Sequence, residues 1–445
     1  MKRSAHGTKK IILIGADIAL LYLSLWIALA IRYQSAFGAQ IFNDHLYPFS
    51  VSFALWIVIF YAAGLYEQGF LGRAYTFYAT SAKAIITAII TAMMLFYLVP
   101  SFGITPKTNL LLTAFVFFIF FLAWRHTWAA LARSQRLLHT IICVGSNKEM
   151  ADIVRIISEH PQLGYRVAHI IDQHEDLTHL KETVQRHKAA AVVYAHNAFP
   201  ENISGALYAL VPLGIAIVDL PTFFAHITRK IPVSIIGQAW FLENLIEREK
   251  NVFEIQKRFI DVAGSLICLA ISLPFLPFIA AAIRADSKGP ILYTQKRVGK
   301  NGSIFKLLKF RTMIEGAEAG GAKWTAMKDA RITRVGKWIR RVRIDELPQL
   351  WNVLLGDMSF IGPRPERPEF VEKLEKEVPH YHMRLLVKPG LTGWAQVHEP
   401  QGGASVKDTL EKLQYDLYYI KYRDLIMDLD IILKTIPVIL GREGH

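Results

Sequence analysis

The sequence predicts a membrane protein of mixed α and α/β class, and three observations carry that prediction. Four apolar runs lead the chain; short apolar runs then alternate with polar helical stretches; a proline-broken apolar segment introduces a basic, mixed polar region. The parts they define are four transmembrane helices over 1–136 and a Rossmann-like α/β domain over 137–250. A re-entrant membrane hairpin with a small α/β domain and amphipathic interfacial helices fills 251–445.

Composition supports the membrane reading: 52% of the 445 residues are hydrophobic and the mean hydropathy is +0.27. With membrane segments present, a net charge of +14 points to anionic lipid and phosphorylated ligands and away from nucleic acid. Two cysteines, Cys143 and Cys268, make neither a disulfide framework nor a metal cluster. The N-terminus shows no small-residue cleavage site, so its first apolar run is expected to stay as an anchor.

The four leading runs are Ile11 to Ile31, Tyr47 to Leu65, Ala84 to Val99 and Leu110 to Trp128; the third spans only if Pro100 to Phe102 are added. Lys2, Arg3, Lys9 and Lys10 precede the first run, Arg73 and Lys83 separate the second and third, and Arg125 near the end of the fourth is followed by Arg133 and Arg136. The positive-inside rule then places the N-terminus, and everything after the fourth run, in the cytoplasm. Asp17, inside the first run, reads as a carboxylate snorkelling at a helix end.

From Leu137 four short runs (Leu138 to Val144, Val167 to Ile171, Ala189 to Tyr194, Ile215 to Val218) alternate with helical stretches such as Lys148 to Glu159 and Asp176 to His187. The first strand ends in a single glycine, Gly145, where a dinucleotide site needs Gly-x-G-x-x-Gly, so the domain reads as regulatory or structural. Phe259 to Ile283 has basic residues on both flanks and Pro274 and Pro277 within it, which predicts a helix–break–helix hairpin instead of a fifth crossing. Beyond it, Ile291 to Gln295 and Ile304 to Phe310 read as strands. Ala330 to Arg343 and Lys407 to Tyr422 read as helices, the first basic and lying on headgroups. Leu425 to Leu440, interrupted by Asp428, Asp430 and Lys434, reads as an amphipathic helix against the domain or the interface.

The chemistry centres on Asp345 and Glu346. Pro348 would open a helix to about Leu355 and leave Asp345 near its N-cap, where a structural cap is the ordinary reading. The helix dipole and the arginines behind it, Arg340 and Arg341 among them, would keep that carboxylate ionised, as a nucleophile or metal ligand. Arg364, between Pro363 and Pro365, is aimed by its neighbours, and a carboxylate attacking a phosphate needs such cations. Glu346, hard and acceptor-only, suits Mg2+. Neither a Walker A loop nor Gly-x-Ser-x-Gly is present, and His380, His382 and His398 lack ligand spacing.

Several ordered blocks resemble the bacterial sugar transferases, the monotopic phosphoglycosyl transferases. They are Lys257-Arg258 with Asp261, Gln295-Lys-Arg-Val-Gly299, Phe305 with Lys309-Phe-Arg-Thr-Met313, Asp345-Glu-Leu-Pro-Gln-Leu350 with Asn352-Val, and Gly356-Asp-Met-Ser359. Gly362-Pro-Arg-Pro365, Lys388-Pro-Gly-Leu-Thr-Gly-Trp-Ala-Gln-Val397 and Asp416-Leu-Tyr-Tyr-Ile420 complete the set. The four-run and α/β preamble is similar to the long-form polyprenyl-phosphate hexose-1-phosphate transferases. The chain departs from the pattern at Leu273, which precedes Pro274 where short members carry Ser, and at His398 to Gly403, where many relatives have Asn-Gly.

The resemblance implies transfer of a sugar 1-phosphate from a UDP-sugar to undecaprenyl phosphate, at the cytoplasmic face of a bacterial inner membrane. Asp345 would act as nucleophile, with Asp345 and Glu346 at Mg2+. Gln295, Arg297, Lys309, Arg311, Arg340, Arg341, Pro363, Arg364, Pro365, Lys388, Trp394 and Gln396 would contact the substrates. A homodimer stands as a partner left open. The rival readings are a nucleotide-sugar dehydratase or epimerase built on the α/β unit, and a non-enzymatic membrane scaffold or transport component.

Overall fold

The computed structural model describes residues 4–66, 74–99, 102, 107–133, 138–172, 177–195, 203–245, 250–316, 329, 331–399 and 405–440. Lys2, Arg3, Arg73, Pro100, Arg136, Asp176, Ala330 and the loop at 400–403 lie outside them. By contact the chain divides into two units, Met1–Phe223 and Phe224–His445.

The first unit opens with four helices: α1 (Ser4–Tyr33), α2 (Ala39–Ala62), α3 (Ala74–Leu98) and α4 (Lys107–Arg133). Each contains a stretch long and apolar enough to cross a membrane. In α3 the described residues Tyr78–Leu98 already make a span of sufficient length, starting upstream of the apolar run, while Pro100 lies outside the described residues. Ser81 on this helix turns inward and is fully buried, while Lys83 and Thr87 are exposed. The bundle core is aromatic: Phe60 stacks on Phe117 with ring centroids 5.7 Å apart, and Trp56 meets Phe117 edge to face. Asp17 does not snorkel. It is buried and ion-paired with Arg125 at 2.7 Å, because an isolated charge in that interior would be far costlier than a paired one.

The α/β part follows as β1 (His139–Val144), α5 (Lys148–Glu159), β2 (Tyr165–Ile171), α6 (Leu180–Arg186), β3 (Ala191–Tyr194), α7 (Ile203–Tyr208) and β4 (Ala216–Asp219). All strands run parallel in the order β2-β1-β3-β4, the arrangement that alternating strands and helices produce. Asn147 caps α5, its side chain accepting from the Met150 amide. The chain then runs through α8 (Leu220–Thr228).

The second unit begins earlier than composition suggested. Ala225, Ile231, Val233, Ile236, Trp240 and Phe241, the last two on α9 (Gln238–Asn244), belong to its core and not to the α/β domain. Then come α10 (Asn251–Ser272) and α11 (Leu276–Asp286), joined by a 3-10 turn at Leu273–Phe275. Pro274 lies in that turn and Pro277 in the first turn of α11; each removes a helix donor. A straight helix would part Arg258 and Ile283 by about 37 Å. Yet Ile283 clusters with Ile344 and Leu347, close in sequence to the Val353 and Leu354 carbonyls that accept from Arg258. The segment therefore bends and returns to one domain.

That domain contains β5 (Leu292–Val298), β6 (Ile304–Phe310), α12 (Arg334–Arg341), α13 (Gln349–Leu355), β7 (Ser359–Ile361), α14 (Pro368–Glu377), β8 (Gly390–Thr392), α15 (Trp394–His398), α16 (Val406–Tyr422) and α17 (Leu425–Leu440). β5 and β6 pair antiparallel, β7 and β8 parallel. α12 starts later than its basic run because Thr333 caps it, accepting from the Gly336 amide. A Cβ on Gly336 would lie 2.2 Å from the Thr312 carbonyl oxygen, so only glycine allows α12 to approach that strand exit. α17 is built inside out: Asp428, Asp430 and Lys434 are buried while Ile426, Leu429 and Ile432 are exposed. α10 shares that pattern, burying Lys257, Asp261, Ser265 and Ser272, and only 11% of the most apolar window of α10 and α11 is buried. Exposed apolar faces of this extent mark contact with something other than water.

Candidate active site

Asp345 and Glu346 lie in a 3-10 turn, Ile344–Glu346, between α12 and α13. Arg343 precedes them with φ 58°, a left-handed conformation that costs a non-glycine residue roughly 1–3 kcal/mol. Asp345 is no helix cap. α13 begins at Gln349 after Pro348, without a side-chain cap, and the buried Oδ1 of Asp345 accepts no hydrogen bond. The capping explanation for this acid therefore fails on geometry.

Three elements bring cations to its neighbour. Oε1 of Glu346 lies 3.0 Å from Arg364 Nη2, 3.5 Å from Lys309 Nζ on β6 and 3.4 Å from Arg343 Nη1. Burial pushes Glu346 up, but Arg364, Lys309 and Arg343 together outweigh it and hold the carboxyl far below the usual range. Asp345 goes the other way. Burial, then the adjacent charge of Glu346, raises it against the pull of Lys309, Arg340 and Arg343. Dipole and arginines alone would have kept it low; the arginines are engaged elsewhere and desolvation wins.

The loop carrying Arg364 is held from both sides. Arg297 donates to the Pro365 carbonyl at 3.1 Å and to Gln295 Oε1 at 2.7 Å. Arg384 donates to the Arg364 carbonyl at 3.0 Å while gripping Asp416 through Nε at 3.1 Å and Nη2 at 2.9 Å. Its Nη1 donates to the Tyr381 hydroxyl at 2.6 Å. Arg384, Tyr381 and Arg343 were not singled out for the site from sequence. Arg384 lies in none of the matching blocks, and its one signal is a charge inside the mostly apolar 381–387 stretch. Pro363 contributes its carbonyl to the Gly390 amide, which ties the loop to β8.

Not every expected residue gathers here. Arg340 comes near, its Nε donating to Thr312 Oγ1 at 2.9 Å and its charge acting on Asp345. Arg341 is exposed, and among the described residues no ion pair links it to the acids. Arg311 is spent on the carbonyl of Ser287 at 2.7 Å, where it pins the end of α11. Trp394 is a core residue, its indole donating to the Arg229 carbonyl and its ring stacked on Tyr418. Gln396 turns to the Leu391 carbonyl, and Lys388 stands near the far end of α13 beside Arg258. Arg311, Trp394, Gln396 and Lys388 sit elsewhere because packing of α15, of α11 and around Gly356, none of it visible locally, sets their direction. His398 donates through Nδ1 to the Trp394 carbonyl at 3.0 Å, as an ordinary structural histidine does.

Among the described residues no group of three or more His, Cys, Asp or Glu could hold a metal by itself. The acid pair fits Mg2+ in a narrower sense: Oδ1 of Asp345 accepts nothing, and the three ion pairs of Glu346 all fall on Oε1. Mg2+ commonly takes one or two carboxylates and completes its shell from water and substrate phosphates.

A buried carboxylate oxygen without a partner, beside a carboxylate held by three cations, on a small α/β domain that carries a bent apolar helix, marks a membrane-associated enzyme class suited to an anionic substrate. Residues 252–442 match the model of the family described as bacterial sugar transferase. The chain is similar to the UDP-N-acetylgalactosamine-undecaprenyl-phosphate N-acetylgalactosaminephosphotransferase of Aeromonas hydrophila, 44% identical over 43% of this chain and 45% of that one. It is also similar to the undecaprenyl-phosphate glucose phosphotransferase of Komagataeibacter xylinus, 31% identical over 75% of this chain and 66% of the relative. A third relative is the UDP-glucose:undecaprenyl-phosphate glucose-1-phosphate transferase of Caulobacter vibrioides, 39% identical over 43% of this chain and 72% of its own length. The match thus spans under half of the Aeromonas protein and just under two thirds of the Komagataeibacter one. The chain belongs to the bacterial sugar transferase family, and the Komagataeibacter match extends well beyond the C-terminal domain, as in its long-form members.

Proposed function

We propose that this protein moves a sugar 1-phosphate from a UDP-sugar to undecaprenyl phosphate and so starts assembly of an exopolysaccharide or O-antigen-like glycan. One observation carries the reading: Asp345 Oδ1 is a buried carboxylate oxygen with no hydrogen-bond donor, next to a carboxylate held by three cations. The names of the relatives support the substrate class.

The mechanism has two displacements. Asp345 attacks the sugar-bearing phosphorus; the new carboxyl–phosphate bond forms as the anhydride P–O bond breaks, and UMP leaves with the bonding pair. An oxygen of undecaprenyl phosphate then attacks the same phosphorus, returning the carboxylate and giving undecaprenyl diphosphate sugar. One anhydride replaces another, so no further energy source is required. Arg364 and Lys309 offset the charge of the transferred phosphate, and Arg340 that of the nucleophile's approach. Asp345 and Glu346 would hold Mg2+, which when bound adds charge neutralisation on phosphate oxygens.

In this reading α10 and α11 dip into the inner leaflet and return, α17 and the exposed faces of α12 and α13 rest on its anionic surface, and α1 to α4 cross. The catalytic domain faces the cytoplasm. The test is UMP release from a panel of UDP-sugars. Multiple-turnover release that requires added polyprenyl phosphate, beyond the single equivalent freed as the adduct forms, is expected; a protein that binds NAD and releases no UMP from any donor would refute the transferase. Topology is tested with Lys288→Cys in a chain whose Cys143 and Cys268 are serine. Protection from an impermeant thiol reagent outside intact cells is expected, and external labelling would replace the hairpin with a crossing.

A further inference from the structure

A second charged site lies at the root of α10. Lys257, Arg258, Lys388 and Arg423 line a cleft there against Glu254 and Asp261, four cations facing two carboxylates. Three of the cations have partners. Lys257 pairs with Asp428 at 2.6 Å, Arg423 with Glu254 at 3.0 Å, and Arg258 donates to the Val353 and Leu354 carbonyls at 2.6 Å. Asp261 is engaged too, its Oδ1 accepting from Ser359 Oγ and the Phe360 amide at 3.0 Å.

Lys388 is left over. Among the described residues it makes no hydrogen bond, and no carboxylate is close enough to pair with it. Its ammonium stands with Arg258 above Gly356: a Cβ there would lie 3.4 Å from Lys388 Nζ and 3.6 Å from Arg258 Nη2. Gly356 has φ +94°, so the backbone disfavours a side chain that would cover the two cations. Burial, then Arg258, holds the Lys388 ammonium below its usual range. Asp261 and Glu254 attract this ammonium from beyond ion-pair distance, and beside the Arg258 guanidinium a partly buried ammonium with no contacting carboxylate has room for an anion.

We infer that this cleft binds a phosphate oxyanion through Lys388 and Arg258. Arg258 grips the C-terminal end of α13 and Asp345 precedes its N-terminal end, so the site stands roughly 10 Å or more from the nucleophile. The ligand chemistry has two sources, free phosphate or a lipid headgroup; the second rests on the hairpin reading, which puts the root of α10 at headgroup depth.

The full chain in a neutral detergent is melted against inorganic phosphate and, separately, dihexanoyl phosphatidic acid, at constant ionic strength. A saturable rise in melting temperature is expected with at least one. K388Q should weaken the apparent affinity about tenfold or more, the size of one lost charge-assisted hydrogen bond. K388R should restore it, and D345N should leave it intact. A response to inorganic phosphate identifies a free-phosphate site, and a response to phosphatidic acid alone identifies a headgroup site. No response to either, an unchanged response in K388Q, or a response lost in D345N would overturn the proposal. The readout is binding, so a chain that released no UMP would still decide it.

Discussion

Asp345→Asn is expected to lower UMP release by on the order of 10³-fold or more, as loss of a covalent nucleophile does. It should also abolish the phosphosugar adduct that mass spectrometry would detect on wild type given donor without lipid acceptor. A fold effect can be separated by sign. Burial raises Asp345, so the fold favours its protonated form; that contribution is present at acid pH and is lost as pH rises through the raised value. A permanently neutral asparagine should therefore melt no lower than wild type at neutral pH. Glu346 has the opposite sign: its carboxyl is depressed, so its contribution is present at neutral pH and is lost only in strong acid. Glu346→Gln should accordingly melt lower. If Asp345→Asn keeps full turnover, the nucleophile is wrong; if it simply unfolds, the electrostatic account is wrong.

Asp416→Ala carries the largest expected effect on stability, about 3–5 kcal/mol, because it strands the Arg384 guanidinium. Burial pushes Asp416 up against the pull of Arg384, so the cost is that of a bare buried cation and not the net worth of the pair. Arg384 also holds the Arg364 carbonyl, and the same change should raise KM for the UDP-sugar by loosening Arg364. The checks are a melting curve and a KM against kcat comparison, with Asp416→Asn expected between the two. A variant that melts like wild type would show that Tyr381 and the Arg364 carbonyl suffice to hold Arg384.

Much of this was readable one residue at a time. The α17 bounds, the strands of the α/β unit and the proline break follow from local hydropathy and backbone chemistry, which act over a few residues. The acid pair and Arg364 were legible for the same reason. Trp394, Gln396 and Arg311 point away from the acid pair, because a motif records that residues occur together, not which way they face. The pairing of Asp17 with Arg125, 108 positions apart, had no sequence signal.

The amino-acid order alone determined the membrane segments, the parallel α/β unit and the presence of an acid among arginines, because periodicity and charge are local properties. Only tertiary structure decided that Asp345 is desolvated while its Oδ1 stays unpaired and Glu346 takes the cations, that α17 turns its charges inward, and that Lys388 faces a cleft with no carboxylate in contact with it. Burial and Coulomb energy depend on what folds against a side chain, and those partners come from distant parts of the chain.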